Sequence, residues 1–156
     1  MLHFAYGANM HRDVMGRHAP AATPIGAAAL ADHRFIITAD GYASVAPLRA
    51  HIVHGVLWRI TARDRVMLDA WENVAAKLYR AAMLPVRQAG EVRLALVYIA
   101  RPSRVGRPKS GYMELVIAAA AAWQLPDDYM SSLQQWLPRR PAGAGPRKLG
   151  DIAWTS

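Results

Sequence analysis

The chain has 156 residues, of which 53% are hydrophobic and 19% charged, and it contains no cysteine. This composition is typical of one globular domain with a sizeable core, and it excludes disulfide frameworks, thiolate catalysis and cysteine-ligated metals. The formal net charge is +8, which can attract nucleic acid, an anionic membrane or an acidic small molecule. Most basic residues are spread along the chain, so we expect a basic solvated surface and no nucleic-acid partner.

The apolar segments are too short for export or for a membrane span. Met1–Tyr6 is shorter than the apolar core of a signal peptide, and no basic residue precedes Arg12. Leu115–Trp123, a long apolar run in the C-terminal half, is about half a membrane span. We therefore expect a cytoplasmic protein with no membrane partner. A monomer and a homodimer are both compatible with the sequence.

The N-terminal segment predicts a buried strand that leads into a short helix. Leu2–Tyr6 is short and apolar, and Gly7 bounds it. Asn9 is expected to cap a helix through Arg17, because its side-chain oxygen can accept backbone amide hydrogens. A strand that ends at a glycine therefore turns directly into the start of a helix.

Strand-like segments and a capped helix follow. The turn signal Asp40-Gly41 separates two of the strands. Thr61, with Asp64 three residues later, predicts a helix that ends near Trp71. The predicted strand His51–Ile60 is apolar on both faces, which indicates burial on both sides. The expected strands are Phe35–Thr38, within an ambiguous stretch from Ala27, then Tyr42–Pro47 and His51–Ile60.

The second half predicts a strand pair, a Pro- and Arg-rich loop over residues 101–110 and two late helices. Because strands mostly follow one another and helices come late, the pattern predicts an α+β fold. We expect one domain over residues 1–137 and a Pro-, Gly- and Arg-rich tail over residues 138–156. The expected elements are the strands Leu78–Val86 and Val92–Ala100 and the helices Gly111–Trp123 and Pro126 to about Trp136.

The turn Tyr6-Gly7-Ala8-Asn9 is a candidate binding loop. Backbone N–H groups at a strand–helix junction can point the same way and bind carboxylate or carbonyl oxygens. Gly7 would let a ligand approach the backbone closely, and the Asn9 amide both donates and accepts. The alternative is an ordinary junction that needs the same two residues.

Glu72 is the candidate acid/base among three glutamates. Glu91 follows a turn glycine and Glu114 lies in a late helix, so both are expected to be solvated. Glu72 lies at a helix end between Trp71 and Asn73-Val74, where desolvation by apolar neighbours would raise its pKa toward the range useful to a general acid/base. The alternative is a surface glutamate.

The histidines show no spacing typical of a metal site. His51 and His54 face opposite sides of a predicted strand, and His11 and His18 have only Asp13 nearby. We therefore expect no metal site. Tyr112, next to a glycine, could reach a cleft.

Several short motifs occur in a characteristic order: Tyr6-Gly7-Ala8-Asn9, Gly55-Val56-Leu57-Trp58, Leu68-Asp69-Ala70-Trp71-Glu72 and Tyr79. In this order they resemble the gamma-glutamylcyclotransferase (AIG2-like) family over roughly residues 2–137. The resemblance implies a small mixed β-barrel with flanking helices that acts without a cofactor. It also implies an enzyme that cyclises a γ-glutamyl group to 5-oxoproline and releases an amine or amino acid.

The resemblance also implies roles for individual residues. Tyr6, Gly7, Ala8 and Asn9 would bind the γ-glutamyl group, Glu72 would be the acid/base, and Tyr79 would orient it or the substrate. Tyr112 would be a further substrate contact.

The chain departs from the family pattern at three positions. Ala8 replaces the usual Ser, Asn73 replaces a Gly whose positive φ Asn tolerates, and Leu78 is bulkier than expected. These departures leave open a non-catalytic small-molecule binding domain on the same fold. A basic nucleic-acid-binding module is the less favoured third hypothesis.

Overall fold

The computed structural model describes residues 1–138, which form a closed five-stranded barrel with flanking helices. Neighbouring strands pair in the order β1-β3-β2-β4-β5 and are antiparallel, except that β1 and β5 run parallel where the barrel closes. The expected α+β class and mixed barrel are thus confirmed. The predicted tail, from residue 139 on, lies outside the described residues. The strands are β1 (Leu2–Ala5), β2 (Thr23–Ile37), β3 (Ala43–Arg59), β4 (Tyr79–Gln88) and β5 (Glu91–Ala100), and the helices are α1 (Arg12–His18), α2 (Ala62–Trp71), α3 (Tyr112–Ala122) and α4 (Asp127–Gln134).

β3 is one long strand, and the prediction of two separate strands over this region was wrong. Pro47 looks like a strand end, but pairing with β2 continues past it. The register shifts between Ala31 and His33, where Asp32 has a φ of 57° and accepts a hydrogen bond from the Ala50 amide at 3.0 Å. This irregularity bends the ribbon without ending it.

β2 also begins earlier than the predicted strand at Phe35. It starts at Thr23 and runs through an alanine-rich stretch. Ala28 and Leu30 are buried on alternate positions, as expected of a strand with one face on the core. Alanine has little strand preference, so the local sequence does not reveal this segment.

Gly55 allows β1 and β3 to pack closely. A Cβ at this position would lie 2.3 Å from the Ala5 carbonyl oxygen and 2.8 Å from Cζ of Phe4. A side chain would therefore push the two strands apart. The close contact fixes the end of β1, from which the predicted binding loop extends.

Trp123, the residue after α3, packs against the segment that follows this loop. The Trp123 indole nitrogen donates a hydrogen bond to the Met10 carbonyl at 2.8 Å, and the same ring packs edge-on against Trp58. The Arg12 guanidinium lies 4.2 Å from the Trp123 ring centroid, a cation–π contact. The residue after α3 thus holds the start of α1 and the turn before it.

Helix α2 begins and ends as the sequence predicts. The Thr61 hydroxyl accepts from the Asp64 amide, and the Asp64 carboxylate accepts from the Thr61 amide, which completes a capping box. The helix runs to Trp71, so that Glu72 is its C-cap residue.

Candidate active site

A cavity of about 950 Å³ lies where β1 and α2 end, and β3, β4, β5 and α3 contribute to its wall. The structure brings every site residue predicted from the sequence into this one wall. These residues are Tyr6, Gly7, Ala8, Asn9, Glu72, Tyr79 and Tyr112.

The loop after β1 is a short 3-10 turn, Ala8–Met10, and Asn9 does not cap the following helix. The prediction of an Asn9 cap was wrong. His11 caps α1, since its ring accepts a hydrogen bond from the Asp13 amide at 3.2 Å. The Asn9 side chain is 9% exposed and faces the cavity, where two other side chains engage its amide.

Gly7 is required by the packing of the loop. A Cβ here would lie 2.7 Å from the Tyr112 hydroxyl oxygen and 3.2 Å from the Ala43 Cβ. That hydroxyl oxygen accepts a hydrogen bond from the Ala43 amide at 3.2 Å. Tyr112 therefore ties the binding loop to the start of β3, and Gly7 leaves the space for it.

The phenols of Tyr6 and Tyr79 donate to backbone carbonyls. Tyr6 donates to the carbonyl of Tyr98, and Tyr79 donates to that of Ala43 at 2.9 Å. Burial raises the pKa of both phenols above the usual value, so both are neutral at physiological pH. Tyr79 lines the cavity with Glu72, but its proton points to Ala43.

Glu72 is partly buried, and its carboxyl is a poorly solvated acid. The Asn9 side-chain nitrogen donates a long hydrogen bond to Oε1 at 3.4 Å. Burial raises the pKa of Glu72 to about 7, which agrees with the direction expected from the sequence. The next residue, Asn73, has a φ of 50°, a conformation that Asn tolerates. A carboxyl with this pKa can both accept and release a proton near neutral pH.

Three further cavity residues make notable side-chain contacts but were not among the predicted site residues. His18 contacts Asn9, Trp71 stacks on His18, and the Tyr98 hydroxyl donates to the Asp69 carboxylate at 2.6 Å. His18 could have been suspected, because α1 is short and its last residue therefore stays close to the turn that contains Asn9. The contact of Tyr98 with Asp69 joins two distant segments, and local sequence gives no signal for it.

Within residues 1–138, no group of three or more His, Cys, Asp or Glu side chains could hold a metal ion. None of the helices in these residues is both long and apolar enough to cross a lipid bilayer.

Comparison with known proteins identifies the family. A sequence model of the AIG2-like family matches residues 52–133, more than half of the chain, and the chain belongs to this family. No curated protein sequence matches the chain.

Solved structures share the fold. A structure named gamma-glutamyl cyclotransferase has a TM-score of 0.84 and 22% identity, with 97% of this chain and 96% of that chain covered. The human protein loc79017 has a TM-score of 0.83 and 22% identity, with 96% and 95% covered. A yeast gamma-glutamyl cyclotransferase described as specific to glutathione has a TM-score of 0.57 and 13% identity, with 86% and 94% covered. At these identities the likeness establishes the gamma-glutamylcyclotransferase fold.

Proposed function

We propose that the chain is a cytoplasmic enzyme that converts a γ-glutamyl group into 5-oxoproline and releases the attached amine or amino acid. The observation that carries the proposal is the Glu72 carboxyl, whose pKa burial raises to about 7, in one cavity with the loop Tyr6–Asn9. Family membership and the names of the structural neighbours support the same reaction class.

In the proposed reaction the nucleophile comes from the substrate. The Glu72 carboxylate takes a proton from the substrate's α-ammonium group, and the free amine attacks the γ-carbonyl carbon. A new C–N bond closes the five-membered ring, and the bond to the leaving nitrogen breaks. Glu72 then returns the proton to that nitrogen, so the carboxylate is regenerated, and the second proton that the ring nitrogen loses passes to the released amine, which leaves as an ammonium group. Such a step needs no protein nucleophile and no cofactor.

The loop Tyr6–Asn9 would hold the γ-glutamyl group in a cyclising conformation. Backbone amides of this loop would stabilise the negative charge that develops on the γ-carbonyl oxygen. Holding amine and carbonyl in contact supplies proximity, which is a large part of the barrier in an intramolecular reaction. Tyr112 would keep the loop in place through its contact with Gly7 and its hydrogen bond from the Ala43 amide, and Tyr79 would contact the substrate from the facing strand.

Ala8 supports a second candidate function. The family pattern has a serine at this position, and the alanine removes a hydroxyl from the cavity wall. A domain that binds a γ-glutamyl-like molecule without turnover is therefore the alternative. The basic loop with Arg101, Arg104 and Lys109 supports nucleic-acid binding less, because Arg101 lines the same cavity.

The test is release of 5-oxoproline from γ-glutamyl dipeptides, glutathione and γ-glutamyl amines. The rate of 5-oxoproline release should be at least about 100-fold lower for Glu72→Gln than for the wild type. Glu91→Gln is the matched control, since Glu91 is exposed and contacts the Arg93 side chain at 3.6 Å, and it should keep full activity. Binding without release would favour the binding-domain alternative, and near-normal turnover in Glu72→Gln would refute the role of Glu72.

A further inference from the structure

His18, at the end of α1, connects to the candidate acid/base through Asn9. The His18 Nδ1 atom lies 3.0 Å from Asn9 Oδ1, and Asn9 Nδ2 donates to Glu72 Oε1 at 3.4 Å. The imidazole stacks on Trp71 with ring centroids 3.7 Å apart and planes 25° apart. All four residues line the cavity, yet the proposed reaction gives His18 no role.

The contacts define the protonation of the imidazole. An amide oxygen only accepts hydrogen bonds, so the His18 Nδ1 that faces Asn9 Oδ1 must carry a hydrogen. Burial and the neighbouring Arg17 lower the pKa of His18 to about 4, so the ring is neutral at physiological pH. A neutral imidazole has one N–H, and Nε2 is therefore unprotonated. Stacking on Trp71 holds the ring in the plane that this contact needs.

The Asn9 amide has two orientations of nearly equal shape. In the observed one its nitrogen faces Glu72. In the reversed one its oxygen would face the ionised carboxylate, an unfavourable contact of two acceptors. A donor on the far side of the amide selects the observed orientation.

We propose that His18 is a positioning residue whose Nδ1–H holds the Asn9 amide with its nitrogen toward Glu72. Its effect on catalysis rests on the proposed function, whereas its effect on the Glu72 carboxyl does not. The carboxylate thereby always meets a donor, and loss of that donor raises the pKa of the acid.

Other titratable groups around Glu72 are common to the wild type and to every His18 variant. Four tyrosines of the cavity are neutral, since burial raises their pKa values, and His3 is neutral because burial lowers its pKa to about 4. Arg17, Arg101 and Asp40 also line the wall. Within residues 1–138, the side chain that donates a hydrogen bond to the Glu72 carboxyl is that of Asn9. The tyrosines concerned are Tyr6, Tyr79, Tyr98 and Tyr112.

The first measurement uses the wild-type protein alone. Imidazole ¹⁵N shifts at pH 7 should show His18 protonated at Nδ1 and bare at Nε2, and the opposite tautomer would overturn the proposal. The Asn9 side-chain NH₂ resonances should move with the ionisation of Glu72, because its nitrogen faces that carboxyl. If these resonances did not move as Glu72 ionises, the proposal would also be overturned.

Two variants then separate the donor from the ring. His18→Phe keeps an aromatic ring on Trp71 but removes the donor, whereas His18→Asn removes the ring but keeps a nitrogen donor the same number of bonds from the backbone. With ¹³C-carboxyl glutamate the three glutamates can be titrated individually, and Glu72→Gln assigns the relevant signal. We expect the pKa of Glu72 to rise by about 0.5 to 1 unit in His18→Phe and to stay within about 0.2 unit in His18→Asn.

The outcomes distinguish this proposal from the proposed function. Equal pKa values in the wild type and His18→Phe, or equal rises in both variants, would overturn the role of His18. In an active enzyme, the acid limb of the kcat/KM profile should move with the carboxyl pKa. A wild type without turnover would refute the proposed reaction, but the NMR titration would still decide the role of His18.

Discussion

Helix α2 carries a carboxyl at each end, and the two differ in their electrostatic environment. Asp64, at the N-terminal end, is 1% exposed, and burial alone would raise its pKa. Hydrogen bonds from the Thr61 amide and hydroxyl, both at 2.9 Å, and from the Ala21 amide at 3.1 Å instead lower it below the usual value. Glu72, at the C-terminal end, has one long contact with Asn9, and burial raises its pKa to about 7.

This difference shows that burial alone does not determine the state of a carboxyl. The number of donors decides it, and the helix dipole acts in the same direction, since it favours negative charge at the N-terminus and disfavours it at the C-terminus. Asp64 is thus suited to hold structure, because it stays ionised. Glu72 is suited to exchange protons. Each prediction below tests one side of this contrast.

The largest expected effect is on stability, at Asp64. Asp64→Asn keeps the shape of the side chain but cannot accept all three hydrogen bonds, and it places an NH₂ group against donors. We expect the free energy of unfolding to fall by about 3 kcal/mol at pH 7, measured by urea denaturation. Turnover per folded molecule should stay within about twofold of wild type.

Asp127→Asn is the matched control for this variant. Asp127 is an exposed carboxyl in the first turn of α4, so its replacement should cost less than about 0.5 kcal/mol. Equal losses in both variants would mean that the bonds around Asp64 add nothing beyond a charge at a helix start.

The second prediction concerns the pH dependence of turnover. The proposed reaction begins with the Glu72 carboxylate, so kcat/KM should fall as the pH decreases below about 7. The fall should be tenfold per pH unit, or about 100-fold at pH 5. Initial rates between pH 5 and 8.5, with a check that the fold is intact, measure it. A flat profile over this range would show that no group with the pKa of Glu72 takes part.

The third prediction concerns how the stability of the fold depends on pH. The contribution of Glu72 changes with pH in the opposite direction to that of Asp64. The folded pKa of Glu72 lies above its ordinary value of 4.5, so the folded state binds more protons between pH 4.5 and 7. Its contribution to stability is therefore lost as the pH rises through this window. Asp64 has a lowered pKa, and its contribution is present above pH 3.8 and lost at lower pH.

Glu72→Gln removes one side of this contrast. The variant should be more stable than wild type by about 2 kcal/mol at pH 8, a figure reduced for the partial exposure of the side chain, and about equal to it at pH 4. Urea denaturation at several pH values measures the difference. A variant that is less stable than wild type at pH 8 would indicate that the ionised carboxyl is well solvated.

Local spacing in the sequence predicts only part of this architecture. The capping box of Thr61 and Asp64 and the end of α2 at Trp71 depend on neighbours in the chain, and both were predicted correctly. The strand β3 was divided, because the contacts that carry it past Pro47 come from β2. Local spacing cannot reveal the pairing between two strands, because the paired residues lie far apart in the sequence.

The site shows the same division. Glu72 and the loop Tyr6–Asn9 could be selected from a resemblance, and the structure places them in one cavity. The cap assigned to Asn9 was wrong, because its amide contacts His18 and Glu72 instead. These residues lie 9 and 63 positions further along the chain. A side chain that is well suited to a local role takes a distant one when burial offers better partners.

The smallest expected effect tests whether a donor can be added to the cavity without changing Glu72. Ala8→Ser restores the hydroxyl of the family pattern in the wall of the cavity. We expect KM for a γ-glutamyl substrate to fall by about two- to fivefold with kcat unchanged, because one hydrogen bond to the bound group contributes about 0.5 to 1 kcal/mol. Ala39→Ser, on an exposed residue after β2, should change neither constant. If the pKa of Glu72 fell instead, the hydroxyl introduced by Ala8→Ser would be donating to the carboxylate. One added donor would then have lowered the pKa of Glu72, as several donors lower that of Asp64.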